Sequence, residues 1–166
     1  VRIDRDEWGL QLAEVTAKRG TCLRRQVGCV LTNVAGMVLA TGYNGVASGQ
    51  PHCNSAVPSL YLFADTRTRE PLTTFPHACP GVGFPSGQGL DACRAIHAEA
   101  NALLQCSDVY QIHTCYVTAS PCVHCVKLLM NTGCGRIVFR EVYPHPAAPD
   151  LWADTGGEWI HLMKET

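Results

Sequence analysis

HAEANALLQCSDVYQIHTCYVTASPCVHCVKLLMN, residues 97–131, decides how this chain folds. Residues 97–106 (HAEANALLQC) read as a helix and Thr114–Thr118 (TCYVT) as a strand. Pro121–Asn131 (PCVHCVKLLMN) reads as a second helix, with proline in its first turn and Gly133 just past its end. Working outward, RIVFR at 136–140 predicts another strand. A proline-rich stretch at 144–149 follows, then a short helix near Leu151–Ala153 and a last strand at Glu158–Met163. Upstream, residues 6–19 set Trp8, Leu12 and Val15 at helical spacing. Val27–Thr32 and Met37–Ala40 read as strands joined by a hairpin turn at Asn33–Gly36. Residues 41–95 are loop-like, with glycine and proline recurring from Gly42 to Gly89. Strands alternating with helices imply an α/β sheet covered by helices.

A chain of 166 residues fits one domain, 1–166, with a loop-rich insert at about 46–94. A loop of that length in a compact domain is functional or stapled by something. Residues 1–20 are charged throughout, and no apolar run approaches the ~20 residues of a membrane span. A cytosolic protein without a membrane partner is expected. The net charge of −1 and the absence of any cationic tract argue against long nucleic acid as a partner. A small anion needs only a few local donors and remains compatible. Ten cysteines, at 22, 29, 53, 79, 93, 106, 115, 122, 125 and 134, point in a cytosolic chain to metal or catalysis rather than disulfides.

Two short motifs hold the chemistry: His97-Ala98-Glu99 and Pro121-Cys122-Val123-His124-Cys125. Cys122 and Cys125, three apart in a helix, share a face and can grip one ion. The helix dipole and a metal both favour their thiolates. His97 supplies a third ligand, and three protein ligands leave a position for water, the pattern of a catalytic zinc. Such a zinc lowers the pKa of its water. Glu99 has no use in a structural zinc site and takes the role of general acid and base. Residues two apart point ~200° apart in a helix, so one of His97 and Glu99 should stand at the helix start if both face one pocket. HxE alone and CxxC alone are weak signals. In this order, each opening a helix with a strand between them, they are specific. The bland alternative makes His97 and Glu99 surface residues and the cysteines a redox pair or a closed structural zinc.

H-x-E followed by P-C-x-x-C resembles the signature of the zinc deaminases. Together with GTCLRRQVGCV (20–30), TGYNG (41–45), RAIHAEANALLQC (94–106) and YVTASPCVHCVK (116–127), it makes the chain similar to the deoxycytidylate (dCMP) deaminases of the cytidine deaminase superfamily. The likeness is to the bacterial and phage type with a cysteine-rich insert, over roughly residues 8–145. The resemblance implies a three-layer α/β/α sandwich around a five-stranded mixed sheet and hydrolysis of dCMP to dUMP. It also implies a homo-oligomer, with a hexamer favoured. By the same resemblance His97, Cys122 and Cys125 are the zinc ligands, Glu99 the proton shuttle, and Asn44 the residue holding the sugar. The Ala98 backbone contacts the base, and Arg25 and Tyr143 serve phosphate and pocket, although Arg25 could equally be a solvated charge. Some relatives hold a second, structural zinc in the insert. The best matches here are Cys22, Cys53, Cys79 and Cys93, and His52 or His77 could replace one of them. Free thiols are the alternative. Cys29, Cys106, Cys115 and Cys134 lie in or beside apolar segments and are expected to pack in the core. His113, His145 and His161 are expected at the surface or in structural hydrogen bonds, and His124 is not needed as a ligand.

Two positions depart from the family pattern: Ala100 directly after HAE, and Ala119 two before the Pro-Cys pair. If both line the base, the pocket beside ring carbon 5 is enlarged and 5-methyl-dCMP becomes a candidate substrate, with core repacking as the alternative. Gln105 and Asp108 stand where some relatives place an aromatic residue and an arginine for a dCTP or dTTP effector. An acidic Asp108 argues against regulation of that kind, and Mg2+ enters only if a nucleoside triphosphate binds. Rival readings are a superfamily deaminase of another base, a non-enzymatic zinc-stabilised interaction module, and a thiol redox protein.

Overall fold

The computed structural model of the chain describes residues 1–55, 79–85 and 87–164. Helix α1 (Arg5–Ala17) starts where the Asp4 carboxylate accepts the Asp6 amide at 2.9 Å. Strands β1 (Gly28–Thr32) and β2 (Val38–Tyr43) form the expected hairpin, turning on Gly36 at φ 84°. Helix α2 (Ala98–Gln105), strand β3 (Thr114–Ala119), helix α3 (Val123–Met130), strand β4 (Arg136–Glu141), helix α4 (Ala147–Ala153) and strand β5 (Glu158–His161) follow. The strands lie in the order β2-β1-β3-β4-β5. β1 is antiparallel to both neighbours, while β3, β4 and β5 run parallel, so the five-stranded sheet is mixed.

Both faces are covered, which explains why the central strands read as continuous apolar runs. Val30, Tyr116 and Val138 point to one face and pack with Leu10 and Ala13 of α1. Their neighbours Cys29, Leu31, Cys115, Val117, Ile137 and Phe139 point to the other, against α2, α3 and α4. This is the three-layer sandwich. Cys29 and Cys115 are fully buried, and Cys106 and Cys134 pack against the same core.

Several boundaries differ from the sequence reading, for physical reasons. The buried face of α1 is Gly9, Leu10, Ala13 and Ala17, whereas Val15 is exposed. Small residues win that face because α1 lies very close to the sheet. A Cβ on Gly9 would meet the Tyr116 ring at 2.6 Å, and one on Gly28 would meet the Ala13 carbonyl at 2.0 Å. β2 extends through Gly42, which the sequence reading left in a loop. There the missing side chain admits the backbone of α2 rather than breaking the strand. α3 begins at Val123, so Pro121 precedes the helix and Cys122 is its N-cap.

α1 is clamped to β4 by charge. Arg136 bonds both Asp6 oxygens, at 3.1 and 2.8 Å, and Arg140 reaches Glu7 and Glu14. Tyr116 donates its hydroxyl to Asp6 at 2.9 Å. Burial alone would raise the Asp6 carboxyl, but the hydrogen bonds from Arg136 and Tyr116 outweigh it and hold it below its ordinary value. Asp6→Asn is therefore expected to cost about 1–3 kcal/mol of stability at neutral pH. A folded pKa below the unfolded one gives stabilisation that is complete above the unfolded carboxylate range. It is lost as pH falls through the folded value. Urea melts of wild type and Asp6→Asn should show a wide gap at about pH 7 that narrows steadily as pH falls through and below the ordinary carboxylate range.

Candidate active site

His97 and Glu99 face one place because they do not sit in the same regular turn. His97 is the N-cap of α2, with extended backbone at φ −65° and ψ 153°, and Glu99 lies in the first helical turn. Cys122 takes the same position on α3, at φ −75° and ψ 168°, with Cys125 one turn on. Two helix N-termini thus point their free N–H groups at one locus, which favours anionic ligands there.

His97 Nδ1 lies 3.5 Å from Cys122 Sγ and 3.4 Å from Cys125 Sγ. All three ligand atoms fall within 4.8 Å of one another, and no other such group occurs among the described residues. Tetrahedral zinc with bonds of about 2.3 Å to sulfur and about 2.0–2.1 Å to nitrogen needs N···S edges of about 3.5 Å. Both N···S edges match that ion, and the third edge lies within 4.8 Å. The Cys125 thiol and the His97 ring pull Cys122 down to about 3, and the same thiol pairing pushes Cys125 up. Cys122 raises His97. Glu99 is 4% exposed, and its burial pushes the carboxyl above its ordinary value. A carboxyl so held is suited to exchanging a proton near neutral pH.

These residues open onto a half-open cleft. His97, Ala98, Glu99 and Cys122 line it, as do Asn44, Arg25, Tyr143 and Ala119. Ala100 is not among its lining residues. Asn44 has both ends of its amide on the main chain: it donates to the Arg25 carbonyl at 2.7 Å and accepts the Val27 amide at 2.8 Å. Arg25 lies 5.6 Å from the Tyr143 ring centroid and 3.5 Å from Glu141, and its buried Nη1 has no hydrogen-bond partner. The Tyr143 amide donates to Ser120 Oγ at 2.8 Å. Ser120, Arg24, Gly87 and Leu90 also line the cleft. Sequence reasoning missed them because Gly87 and Leu90 lie outside every motif, and the motifs that contain Arg24 and Ser120 assign those two no role. Only the nearness of Arg24 to Arg25, and of Ser120 to Pro121-Cys122, hinted at a role.

Cys22 and Cys93 line the same cleft. Cys93 Sγ is 3.9 Å from Cys79 Sγ, close to the ~3.8 Å sulfur–sulfur edge of tetrahedral zinc. Burial and the nearby Cys79, Cys22 and Cys93 push Cys53 up to about 12. Burial opposes the ionised form of Cys79, but the amides of Arg94 and Gly81 donate to its sulfur and lower it. The four insert cysteines are thus neighbours, though less tightly gathered than the first set. His52 is exposed, and His77 lies outside the described residues. His124 is also exposed; His161 bonds the Arg140 carbonyl, His113 bonds Thr114, and His145 stacks on Tyr143. Asp108 accepts the Tyr110 amide and the Gln111 side chain, so both its oxygens are engaged locally.

Residues 3–141 match the family described as the cytidine and deoxycytidylate deaminase zinc-binding region. The chain is 37% identical over 141 residues to the deoxycytidylate deaminase of Mycobacterium phage D29, spanning 84% of this chain and 97% of that one. It is 31% identical over 142 residues to the deoxycytidylate deaminase of Schizosaccharomyces pombe. There the chain spans only 37% of the relative's length, and 38% in the Saccharomyces cerevisiae enzyme. The dCMP deaminase of cyanophage S-TIM5, solved in complex with dCMP and dUMP, superposes with a TM-score of 0.69 at 22% identity, over 98% of this chain and 99% of that one. At that identity the likeness is one of fold. Because the sequence match runs from α1 through β4, and so takes in four of the five strands, the insert and both helix-capping motifs, this chain belongs to the cytidine and deoxycytidylate deaminase family.

Proposed function

We propose that the chain hydrolyses dCMP to dUMP and ammonia. One observation carries the reading: a buried carboxylate, Glu99, stands beside a three-ligand metal set in a cleft that also holds Arg25 and Tyr143. A zinc ion held by His97, Cys122 and Cys125 would polarise a water and make its proton easier to remove. Glu99 takes that proton and delivers it to ring N3 as the water oxygen bonds to C4. It then carries the remaining hydroxyl proton to the exocyclic nitrogen, the C4–N bond breaks, and ammonia leaves. Arg25 lines the cleft and its Nη1, ion-paired with Glu141 at 3.5 Å but without a hydrogen-bond partner, suits a phosphate oxygen. Asn44 holds the segment of Arg25 and Val27 in place through its two main-chain bonds, and one lone pair and one N–H stay available for a sugar. The 37% identity to the phage D29 protein, over nearly its whole length, supports dCMP over other bases.

The same reading includes a second, structural zinc held by Cys22, Cys53, Cys79 and Cys93, supported by their proximity and by the two amides on Cys79. It includes tolerance of a 5-methyl group, supported now by Ala119 alone, since Ala100 stands outside the cleft lining. An assembly of several copies, a hexamer by resemblance, would cover Leu104 and Tyr110, which are 76% and 77% exposed. Ten cysteines without a disulfide suit the reducing cytosol.

Purified protein should release ammonia from dCMP, and Glu99→Ala should lower kcat by a factor of about 10²–10⁴ or more while zinc stays bound. Unchanged turnover in that variant would remove Glu99 from the chemistry. No turnover of any cytosine substrate by zinc-loaded wild type would shift the reading to another base. Zinc analysis should find about two ions per chain, and about one in Cys53→Ser. One ion in both would leave the insert thiols free. The value of kcat/KM for 5-methyl-dCMP should lie within about tenfold of that for dCMP, the scale of one methyl contact. A larger preference for dCMP would return Ala119 to a packing role.

A further inference from the structure

Arg24 meets the insert through contacts that the short-range pattern of its own segment does not reveal. Its Nη1 donates to three main-chain carbonyls of the insert: Phe84 at 3.3 Å, Pro85 at 3.1 Å and Gln88 at 2.8 Å. The guanidinium also stands near enough to the Cys93 thiol to favour its ionised form. One side chain therefore ties the turn around Gln88 and the last cysteine of the insert to the segment leading into β1. That turn builds part of the cleft, since Gly87, Leu90 and Cys93 line it together with Arg24 itself. Gly87 sits at φ 86°, and a Cβ there would stand 3.5 Å from the Tyr143 hydroxyl and 3.5 Å from Pro144. The insert thus meets the core at Tyr143 on one side and at Arg24 on the other.

We propose that Arg24 is a substrate-positioning residue, a clasp that fixes the insert turn as one wall of the cleft beside the metal ligands. This deepens the reading of the cleft as a cytosine-nucleotide site and rests on it. The two N–H groups of Nη1 are shared among the three carbonyls, the shortest contact being to Gln88, and the rigid guanidinium plane fixes their direction. A wall held this way acts on substrate binding and orientation, whereas the proton transfers belong to Glu99. Removing the clasp therefore loosens ground-state and transition-state binding together, and this appears in KM with kcat kept.

Arg24 is itself cationic and lines the cleft, so direct phosphate contact is the competing role, and the substrate panel separates the two. Arg24→Ala and Arg24→Lys are assayed on dCMP and deoxycytidine, with zinc content and melting temperature measured alongside. A clasp predicts that Arg24→Ala raises KM roughly tenfold or more on both substrates, leaves kcat within about threefold, and is partly rescued by Arg24→Lys. A rise confined to dCMP would make Arg24 a phosphate ligand and overturn the clasp. An unchanged KM, or equal loss of kcat, would overturn it as well.

Hydrogen exchange supplies an arm independent of turnover. The amides of Phe84, Gln88, Ala92 and Cys93 are hydrogen-bonded within the insert, to Gly81, Pro85, Gly89 and Leu90. In zinc-loaded Arg24→Ala they should exchange about tenfold faster or more, with the β1 and β3 amides unchanged. Unaltered protection of those four amides would refute the clasp. Failure of wild type on dCMP would instead refute the substrate reading and leave the exchange result to decide the clasp.

Discussion

The contact between α2 and β2 at Gly42 sets the geometry of everything at the cleft. A Cβ on Gly42 would lie 2.3 Å from the Ala98 carbonyl and 2.4 Å from the Ala102 amide, so helix and strand meet backbone to backbone. Ala98 stands between His97 and Glu99, and the contact therefore locates both side chains together. Any larger residue at Gly42 must push α2 outward, and the 3.4–3.5 Å distances from His97 to the two sulfurs would be lost with it. On the opposite face Gly28 performs the equivalent service for α1. Both strands are thinned where a helix crosses them, and the three layers close at spacings that ordinary side chains would not permit.

Around that contact the chain uses two kinds of force in separate regions. Apolar burial dominates between the sheet and α2, α3 and α4, where Trp152 is buried and its indole nitrogen still finds the Glu158 carbonyl at 3.1 Å. Charge dominates at the margin of α1, where Arg136 and Arg140 of β4 reach three carboxylates. The site lies where neither force is satisfied internally. Two helix N-termini, the buried Glu99 carboxyl and the His97, Cys122 and Cys125 ligand atoms meet at a common cleft.

The insert joins that arrangement rather than hanging from it. Cys22 precedes the arginine pair, Cys93 precedes the HAE helix, and Arg24 bridges the two through the carbonyls around Gln88. Two of the insert-side cysteines, Cys22 and Cys93, therefore line the same space as His97.

By itself the sequence determined the α/β layering, the helix–strand–helix order around the metal motif, and the identity of His97, Glu99, Cys122 and Cys125. These are local properties: period-two and helical patterning, capping positions, and ligand types at short spacing. The tertiary structure alone decided which face of α1 is buried, that Gly42 belongs inside a strand, that Ala119 but not Ala100 lines the cleft, and that Arg24 grips the insert. Each depends on an atom brought from a distant part of the chain: the Tyr116 ring over Gly9, the Ala98 carbonyl over Gly42, the Gln88 carbonyl at Arg24. Patterning along one segment carries no information about how closely another will approach it, and for this chain that closeness is what places the chemistry.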